Sequence, residues 1–369
     1  MAAPFSLFAS SAPGIEPLLC AELASLGMLE PEVIAGGVRF SGHRRAIYRA
    51  NLESGLASHV LVRVGAVVAT ELGMLERALG ELPWERFLSP GVARSFRVTA
   101  HKSRLIHTGA IAERAARAIA ARLGDGLIEP DEGGVPVHLR MDHDRALSSI
   151  DTSGPPLHRR GYRLATGKAP LREDLARALV LASGWDRASP LIDPFCGAGT
   201  IGIEAALLAR GMAPGVHRSF ALERTPLFDA ADWQASRERA SSQEAASCPR
   251  IVLGDRDASV LGAARENAER AGVLDALELV HASVTELPFG DERATVVTNP
   301  PYGQRLNEGA DLTPLYRALG RRVGELPPGS RVALITSERR LGMRVSAQLK
   351  TAFVTRSGGL RVGALAGEL

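Results

Sequence analysis

A short stretch near the middle of the chain restricts the fold more than any other feature. Leu191-Ile192-Asp193-Pro194-Phe195-Cys196-Gly197-Ala198-Gly199-Thr200 runs from an apolar strand through a glycine turn into a helix that reaches Arg210. A strand end, a glycine turn and a helix N-terminus form a cradle in which a ligand approaches the backbone closely. The same alternation recurs downstream. Strands are predicted at Arg250 to Gly254, Ala276 to Val280, Arg293 to Thr298 and Arg331 to Thr336, with helices at Asp174 to Ala182, Ala258 to Ala271 and Leu312 to Gly324. This pattern predicts a parallel, doubly wound α/β sheet with helices on both faces.

Two more motifs fall at strand ends. Arg250-Ile251-Val252-Leu253-Gly254-Asp255-Arg256-Asp257 ends in carboxylates. Asp255, at the carboxyl edge, suits the paired hydroxyls of a ribose, and Asp257 suits the cap of the following helix. Thr298-Asn299-Pro300-Pro301-Tyr302-Gly303 follows the next strand. An exocyclic amino group on a base is a poor nucleophile, because its lone pair is delocalised into the ring. The Asn299 side-chain oxygen and the Pro300 carbonyl can each accept one N–H and steer that lone pair. Consecutive prolines fix the backbone, and Tyr302 offers a face on which an extruded base stacks. Positioning supplies the acceleration, so no strong general base is required. Gly197, Gly199 and Gly202 also fit a dinucleotide-binding spacing, which keeps a nicotinamide-dependent oxidoreductase open as an alternative. The acidic residue that such a fold wants about 20 residues later is Glu223, which has no strand before it.

Upstream the texture differs. A strand at Phe5 to Ala9, a helix at Ile15 to Leu26 and a strand pair over Val33 to Phe40 form a small α/β unit. A helix at Arg44 to Asn51, a strand at Ser58 to Val68, a helix at Glu71 to Glu81, a strand at Ser95 to Ala100 and a helix at His107 to Leu123 follow. A hairpin over Val135 to Arg140 and Ala146 to Asp151 closes this α+β region. Ser153-Gly154-Pro155-Pro156 marks the boundary. Ala230 to Pro249 is polar and Ala-rich, and is predicted as an exposed helix plus loop.

Composition narrows the function classes. The net charge of +3 is too mild to announce nucleic-acid binding, so local clusters carry that argument. Arg94, Arg97, His101, Lys102, Arg104 and His107 form one run without an acidic residue; His158, Arg159, Arg160, Arg163 and Lys168 form another, at the joint between modules. Both are candidate phosphate contacts. The three cysteines, Cys20, Cys196 and Cys248, have no zinc spacing, so no metal site is expected. No signal-peptide pattern opens the chain and no apolar run approaches a membrane span, so a cytoplasmic protein is expected, with nothing demanding more than a monomer.

The glycine motif and Asn299-Pro300-Pro301-Tyr302 together resemble class I methyltransferases acting on amino groups. Leu7-Phe8-Ala9-Ser10-Ser11-Ala12-Pro13-Gly14-Ile15-Glu16 is similar to the opening of the THUMP-containing RNA N2-guanine methyltransferases, and Arg159-Arg160-Gly161-Tyr162-Arg163 with Ala169 to Ala176 resembles their linker and lead helix. Met212-Ala213-Pro214-Gly215-Val216-His217-Arg218 resembles an insertion of the bacterial 23S rRNA branch. The resemblance implies a ferredoxin-like unit over residues 1–42, a THUMP RNA-binding domain over 43–153, a linker over 154–175 and a Rossmann-like methyltransferase domain over 176–369. It implies S-adenosylmethionine lined by Asp193, Pro194, Cys196, Gly197, Gly199, Thr200, Asp255, Arg256, Ser283 and Asn299, with Asn299, Pro300 and Tyr302 holding a guanine of structured RNA. Ser283 stands where the family has an Asp that contacts the adenine amino group, which makes that contact weaker. The large bacterial enzymes can also carry a second methyltransferase domain, and none is expected in this chain from its length. Ribosomal RNA is the favoured substrate, transfer RNA the alternative, and a non-catalytic RNA-binding protein the third class.

Overall fold

The computed structural model describes residues 3–125, 133–164, 171–242, 245, 248–302 and 311–369. The N-terminal half contains β1 (Phe5–Ser10), α1 (Glu16–Ser25), β2 (Leu29–Ile34), β3 (Gly37–Gly42), α2 (Arg44–Glu53) and β4 (His59–Val68). It continues with α3 (Leu72–Gly80), β5 (Arg94–His101), α4 (Thr108–Leu123), β6 (Val135–Asp142) and β7 (Arg145–Asp151). These strands make one seven-stranded sheet in the order β2-β3-β1-β4-β7-β6-β5. Strand β4 is the seam: it pairs with β1 on one side and β7 on the other. Residues 1–42 and 43–153 therefore share a single sheet. Period-two alternation sorts its two faces. Leu7, Ala9, Val60, Val62, Val137, Leu139 and Ile150 are buried beneath the helices. Arg63, Ser149, His138, Arg140 and Arg97 project from the opposite face, as the strand registers require.

The C-terminal half contains α5 (Glu173–Ala182), β8 (Leu191–Asp193), α6 (Thr200–Ala209), α7 (Ala230–Ser241), β9 (Ile251–Asp255), α8 (Ala258–Arg270) and β10 (Leu277–His281). Then come β11 (Thr295–Thr298), α9 (Thr313–Gly324), β12 (Arg331–Thr336), α10 (Arg339–Gly342), β13 (Lys350–Ser357) and β14 (Leu360–Glu368). The sheet order is β10-β9-β8-β11-β12-β14-β13. The first five strands are parallel, as the sequence predicts, and the order reverses between β8 and β11. That reversal opens a crevice at the carboxyl edge, where ligands bind in such sheets. The antiparallel β13–β14 hairpin, which has no counterpart in the sequence reading, inserts β14 between β12 and β13.

The contacts that lock the two halves together include these three. In the first, α7 packs on α2, with the Trp233 ring edge-on to Tyr48 at 5.2 Å and to Phe220 at 5.5 Å. The Tyr48 hydroxyl donates to the Leu227 carbonyl at 2.8 Å and accepts from the Asp229 N–H at 2.8 Å. The exposed helix expected in this stretch is thus a clamp, because its one tryptophan is needed to cover α2. In the second, Gly14 (φ +88°) lies against β13 so closely that a Cβ would overlap the Val354 carbonyl oxygen. The third is ionic. Glu204 on α6 is fully buried. It faces Arg160 Nε at 3.4 Å, Arg177 Nη1 at 3.5 Å and the Tyr162 hydroxyl at 3.2 Å. Arg160 also donates to the carbonyls of Leu157 and Gly55.

Breaking a buried ion pair from one side leaves the partner charge uncompensated. Glu204→Ala is expected to cost about 3–5 kcal/mol in urea unfolding, because two buried guanidinium groups lose their carboxylate together. A loss below about 1 kcal/mol would show that Arg160 and Arg177 are satisfied without it.

Candidate active site

Strand β8 ends at Asp193, and the chain then turns back over the sheet edge. The Cys196 N–H donates to the Gly254 carbonyl at 3.0 Å, which ties the turn to β9, and the Gly199 N–H donates to the Cys196 carbonyl at 2.9 Å. Gly197 (φ +51°) and Gly199 (φ +81°) both occupy the left-handed region, which side chains disfavour. A Cβ on Gly197 would meet nothing within 4 Å, so its face of the turn is open. Pro194, Cys196 and Thr200 are buried around it, and α6 begins at Thr200 with its N-terminal N–H groups facing the cradle.

Asp193 is 1% exposed. Its Oδ1 accepts from the Thr298 hydroxyl at 2.6 Å and from the Phe195 N–H at 3.2 Å. Its Oδ2 is buried without a hydrogen-bond partner. Burial pushes this carboxyl up to about 7; the bonds from Thr298 and Phe195 oppose that rise, and the nearby Asp255 charge adds to it. A buried acceptor left open in this way is costly unless a donor arrives. Asp255 is half-exposed at the next strand end. It accepts from the Gly197 N–H at 3.0 Å through Oδ2 and from the Asp257 N–H at 3.0 Å through Oδ1. Asp257 caps α8, as expected, through the Ser259 N–H at 2.9 Å. Arg256 points to solvent. Ser283 donates to Glu286 Oε2 at 2.6 Å and sits 2.8 Å from the Thr285 hydroxyl, a local box that leaves lone pairs on Oγ free to accept.

Strand β11 delivers the third motif beside the first, since β11 pairs directly with β8. Asn299 Oδ1 is buried with no hydrogen-bond partner, so a second open acceptor stands at the same edge as Asp193 Oδ2. Pro300 is buried, and the Tyr316 hydroxyl donates to the Pro301 carbonyl at 3.1 Å, fixing the proline pair from α9. Tyr302 differs from the sequence expectation. It is 1% exposed, so its ring offers no face to solvent, and stacking a base on it requires the ring or its cover to move. Thr298 and Tyr316 were missed by sequence reasoning. Thr298 adjoins the motif and could have been included; Tyr316 carries no local signal.

The basic clusters divide by burial. Arg94 is 5% exposed and paired with Asp125, and Arg160 is 4% exposed and committed to Glu204. Neither is a phosphate contact, because each guanidinium is enclosed and already neutralised. Arg97, Lys102, Arg104 and Arg159 are exposed. Arg163 is half-buried and bonds the Leu171 carbonyl at 2.8 Å and Glu173 at 3.3 Å. His158 is held down to about 3 by burial and by the charges of Arg172, Arg160, Arg159 and Arg163. Lys168 lies outside the described residues. Among those residues, no group of His, Cys, Asp and Glu is arranged to hold a metal ion, and no helix is long and apolar enough to cross a membrane.

Residues 160–358 match the RMKL-like methyltransferase domain model, and residues 6–61 match the RlmL ferredoxin-like domain. The chain belongs to the RMKL-like methyltransferase family. It is 33% identical over 379 aligned positions to the ribosomal RNA large subunit methyltransferase K/L of Syntrophotalea carbinolica, covering 98% of this chain and 53% of that one. The chain thus spans about half the length of the curated relatives it matches. Its fold matches a Listeria monocytogenes structure described as a predicted N6-adenine-specific DNA methylase, with a TM-score of 0.88 and 32% identity over 98% of this chain and 96% of that one. It also matches the SMU.472 methyltransferase solved with SAH, with a TM-score of 0.87 and 28% identity over 99% and 98%. These matches agree with the Rossmann-like sheet and the ferredoxin-like β1 to β4 unit, and they leave no structural role for a dinucleotide reading of Gly197, Gly199 and Gly202. Glu223, which that reading needs on a strand, sits in a short turn and bonds the Phe220 N–H at 2.8 Å.

Asp193 gives a pH-dependent expectation. Its folded value lies above the ordinary carboxyl range near 3.9, so the native state binds the proton more tightly and loses stability as pH rises from about 4 to about 7. Asp193→Asn is expected to stabilise the protein near pH 8 and to change little near pH 4, as read by urea midpoints. Equal effects at both pH values would refute the raised carboxyl.

Proposed function

We propose that this chain is an S-adenosylmethionine-dependent RNA methyltransferase that methylates the exocyclic N2 amine of a guanine in structured RNA, with large-subunit (23S) ribosomal RNA as the substrate. The observation that carries the reading is the pair of open buried acceptors, Asp193 Oδ2 and Asn299 Oδ1, at the ends of adjacent parallel strands. One fits an ammonium group and the other fits the N–H of an amine. Bound S-adenosylmethionine supplies a methyl group on a sulfonium, already an excellent leaving group. Asp193 would receive the ammonium end of that cofactor, the open turn at Gly197 and Gly199 would admit it beside the backbone, and Asp255 would accept from the ribose hydroxyls. Cys196, Pro194 and Thr200 line the same cradle, Arg256 stands on its solvent side, and Ser283 would accept from the adenine amino group.

The Asn299 side-chain oxygen and the Pro300 carbonyl each hold one N–H of the target amine and aim its lone pair at the methyl carbon. The nitrogen–carbon bond forms as the sulfur–carbon bond breaks, and the amine then releases one proton to solvent. Tyr302 covers the base once its ring is accessible. The division into residues 1–42, 43–153, 154–175 and 176–369 assigns RNA capture to a ferredoxin-like and THUMP pair and chemistry to the C-terminal domain. Arg97, Lys102, Arg104, Arg159 and Arg163 contact phosphate in this reading. A cytoplasmic monomer fits the composition.

Asn299→Ala is expected to lower methyl transfer by about 10²–10³-fold, the loss typical of one preorganised polar contact in a transition state. RNA affinity should stay near wild type; transfer at the wild-type rate would refute the mechanism. Mass spectrometry of RNA incubated with labelled cofactor is expected to locate the label on guanine N2 in 23S rRNA. Label on transfer RNA alone would move the substrate to that class, and label on adenine N6 would replace the target base.

A further inference from the structure

The face of the N-terminal sheet left bare by α1 to α4 carries a side-chain arrangement that neither the family match nor the site accounts for. Arg63 projects from β4 and lies flat over the Phe8 ring, its guanidinium carbon 4.7 Å from the ring centroid. Its Nη1 donates to the Ser149 hydroxyl at 2.9 Å. The planar cation is therefore held from below by an aromatic ring and from the side by a hydroxyl, and the residue is half-buried.

The registers extend this platform into a row. Arg63 stands opposite Ser149, Ser149 opposite His138, and His138 opposite Arg97. Four neighbouring strands at the usual spacing make this row about 14 Å long. Arg140 lies two positions along β6 from His138. Arg63 and Arg97 have no carboxylate partner among the described residues. The face does carry acids, each of them already committed. Asp151 is fully buried and held by His59 at 2.7 Å and His138 at 3.6 Å; Asp142 is shared among His101, His143 and Arg140; Glu32 pairs with Arg39. Burial, and then the charge of Arg140, press Arg63 down to about 10, so an anion beside its guanidinium would relieve it. Ala66, Leu147 and Val68 keep the neighbouring surface apolar and partly exposed.

We propose that this face binds a single-stranded segment of RNA, with one base stacked on the Arg63–Phe8 platform and the flanking phosphates on Arg97 and Arg140. Bases stack on planar cations and aromatic rings regardless of sequence, and a paired base has no free face to offer. A duplex would present only its phosphates and would leave the platform unused. The surface is separate from the exposed loop residues Lys102 and Arg104, and the proposal rests on the reading of the chain as an RNA-modifying enzyme.

The test uses the full chain, a fluorescent oligouridine and a self-complementary RNA duplex as probes, and SAH calorimetry as the check on the catalytic half. Arg63→Lys keeps the charge and removes the planar surface. It is expected to weaken oligouridine binding at least about tenfold, with the salt dependence unchanged. Arg97→Gln is expected to reduce the slope of log affinity against log salt by about 0.7. Both variants should melt like wild type and bind SAH equally. Wild-type oligouridine affinity in Arg63→Lys overturns the proposal, as does a duplex that binds as tightly as the single strand and is weakened equally. Loss of SAH binding by the wild-type protein would instead overturn the methyltransferase reading, while the effects on oligouridine would still stand.

Discussion

Glu204 sits on the second turn of α6, the helix whose first residues close the glycine cradle. It meets Arg160 and Tyr162 from the segment after β7 and Arg177 from α5. A lone carboxylate in that position would be prohibitively desolvated, and two enclosed arginines without it would be worse. Each therefore requires the others, and the requirement is geometric as well as energetic. Arg160 spends its remaining donors on carbonyls of Leu157 and Gly55, the second of which belongs to the N-terminal half. The ionic knot thereby fixes where the N-terminal sheet stands relative to the cradle. Burial raises the Tyr162 hydroxyl well above its ordinary range, and the Glu204 charge adds to this, so Tyr162 stays a neutral donor.

The site itself trades stability for readiness. Asp193 and Asn299 each hold a buried oxygen with no donor, and the fold bears that cost only because the surrounding elements are rigid. Thr298 spans β11 to β8 through its bond to Asp193, while Tyr316 on α9 holds the Pro301 carbonyl. The acceptors are thus braced from behind and open in front. An arrangement that needed to reorganise before receiving an amine would lose much of the benefit of positioning.

The placement of the candidate site was legible in the sequence because its motifs are contiguous residues at strand ends. Asp193 to Thr200, Gly254 to Asp257 and Asn299 to Tyr302 each contain both the turn geometry and the side chains that the turn presents. Long-range placement was not legible. Arg94 and Arg97 read alike in a basic run, yet strand alternation turns one inward to Asp125 and the other outward. Arg160 and Arg159 separate in the same way, for want of any local sign that Glu204 waits in the core. The clamp role of α7 depends on Trp233 meeting Tyr48 and Phe220, residues far away in sequence. The β13–β14 hairpin escaped because antiparallel strands appended to a parallel sheet break the alternation used to find the rest, although Gly358-Gly359 between two alternating runs was a usable turn signal.

The contact between Gly14 and Val354 joins positions separated by nearly the whole chain. Closing so large a loop carries an entropic cost that is met only after both sheets exist to make the contact worthwhile. Nothing short of a folded N-terminal sheet and a folded terminal hairpin can form it. Any side chain placed at Gly14 would therefore push on β13, so a substitution in the first turn of the N-terminal sheet is felt in the hairpin at the far edge of the other sheet.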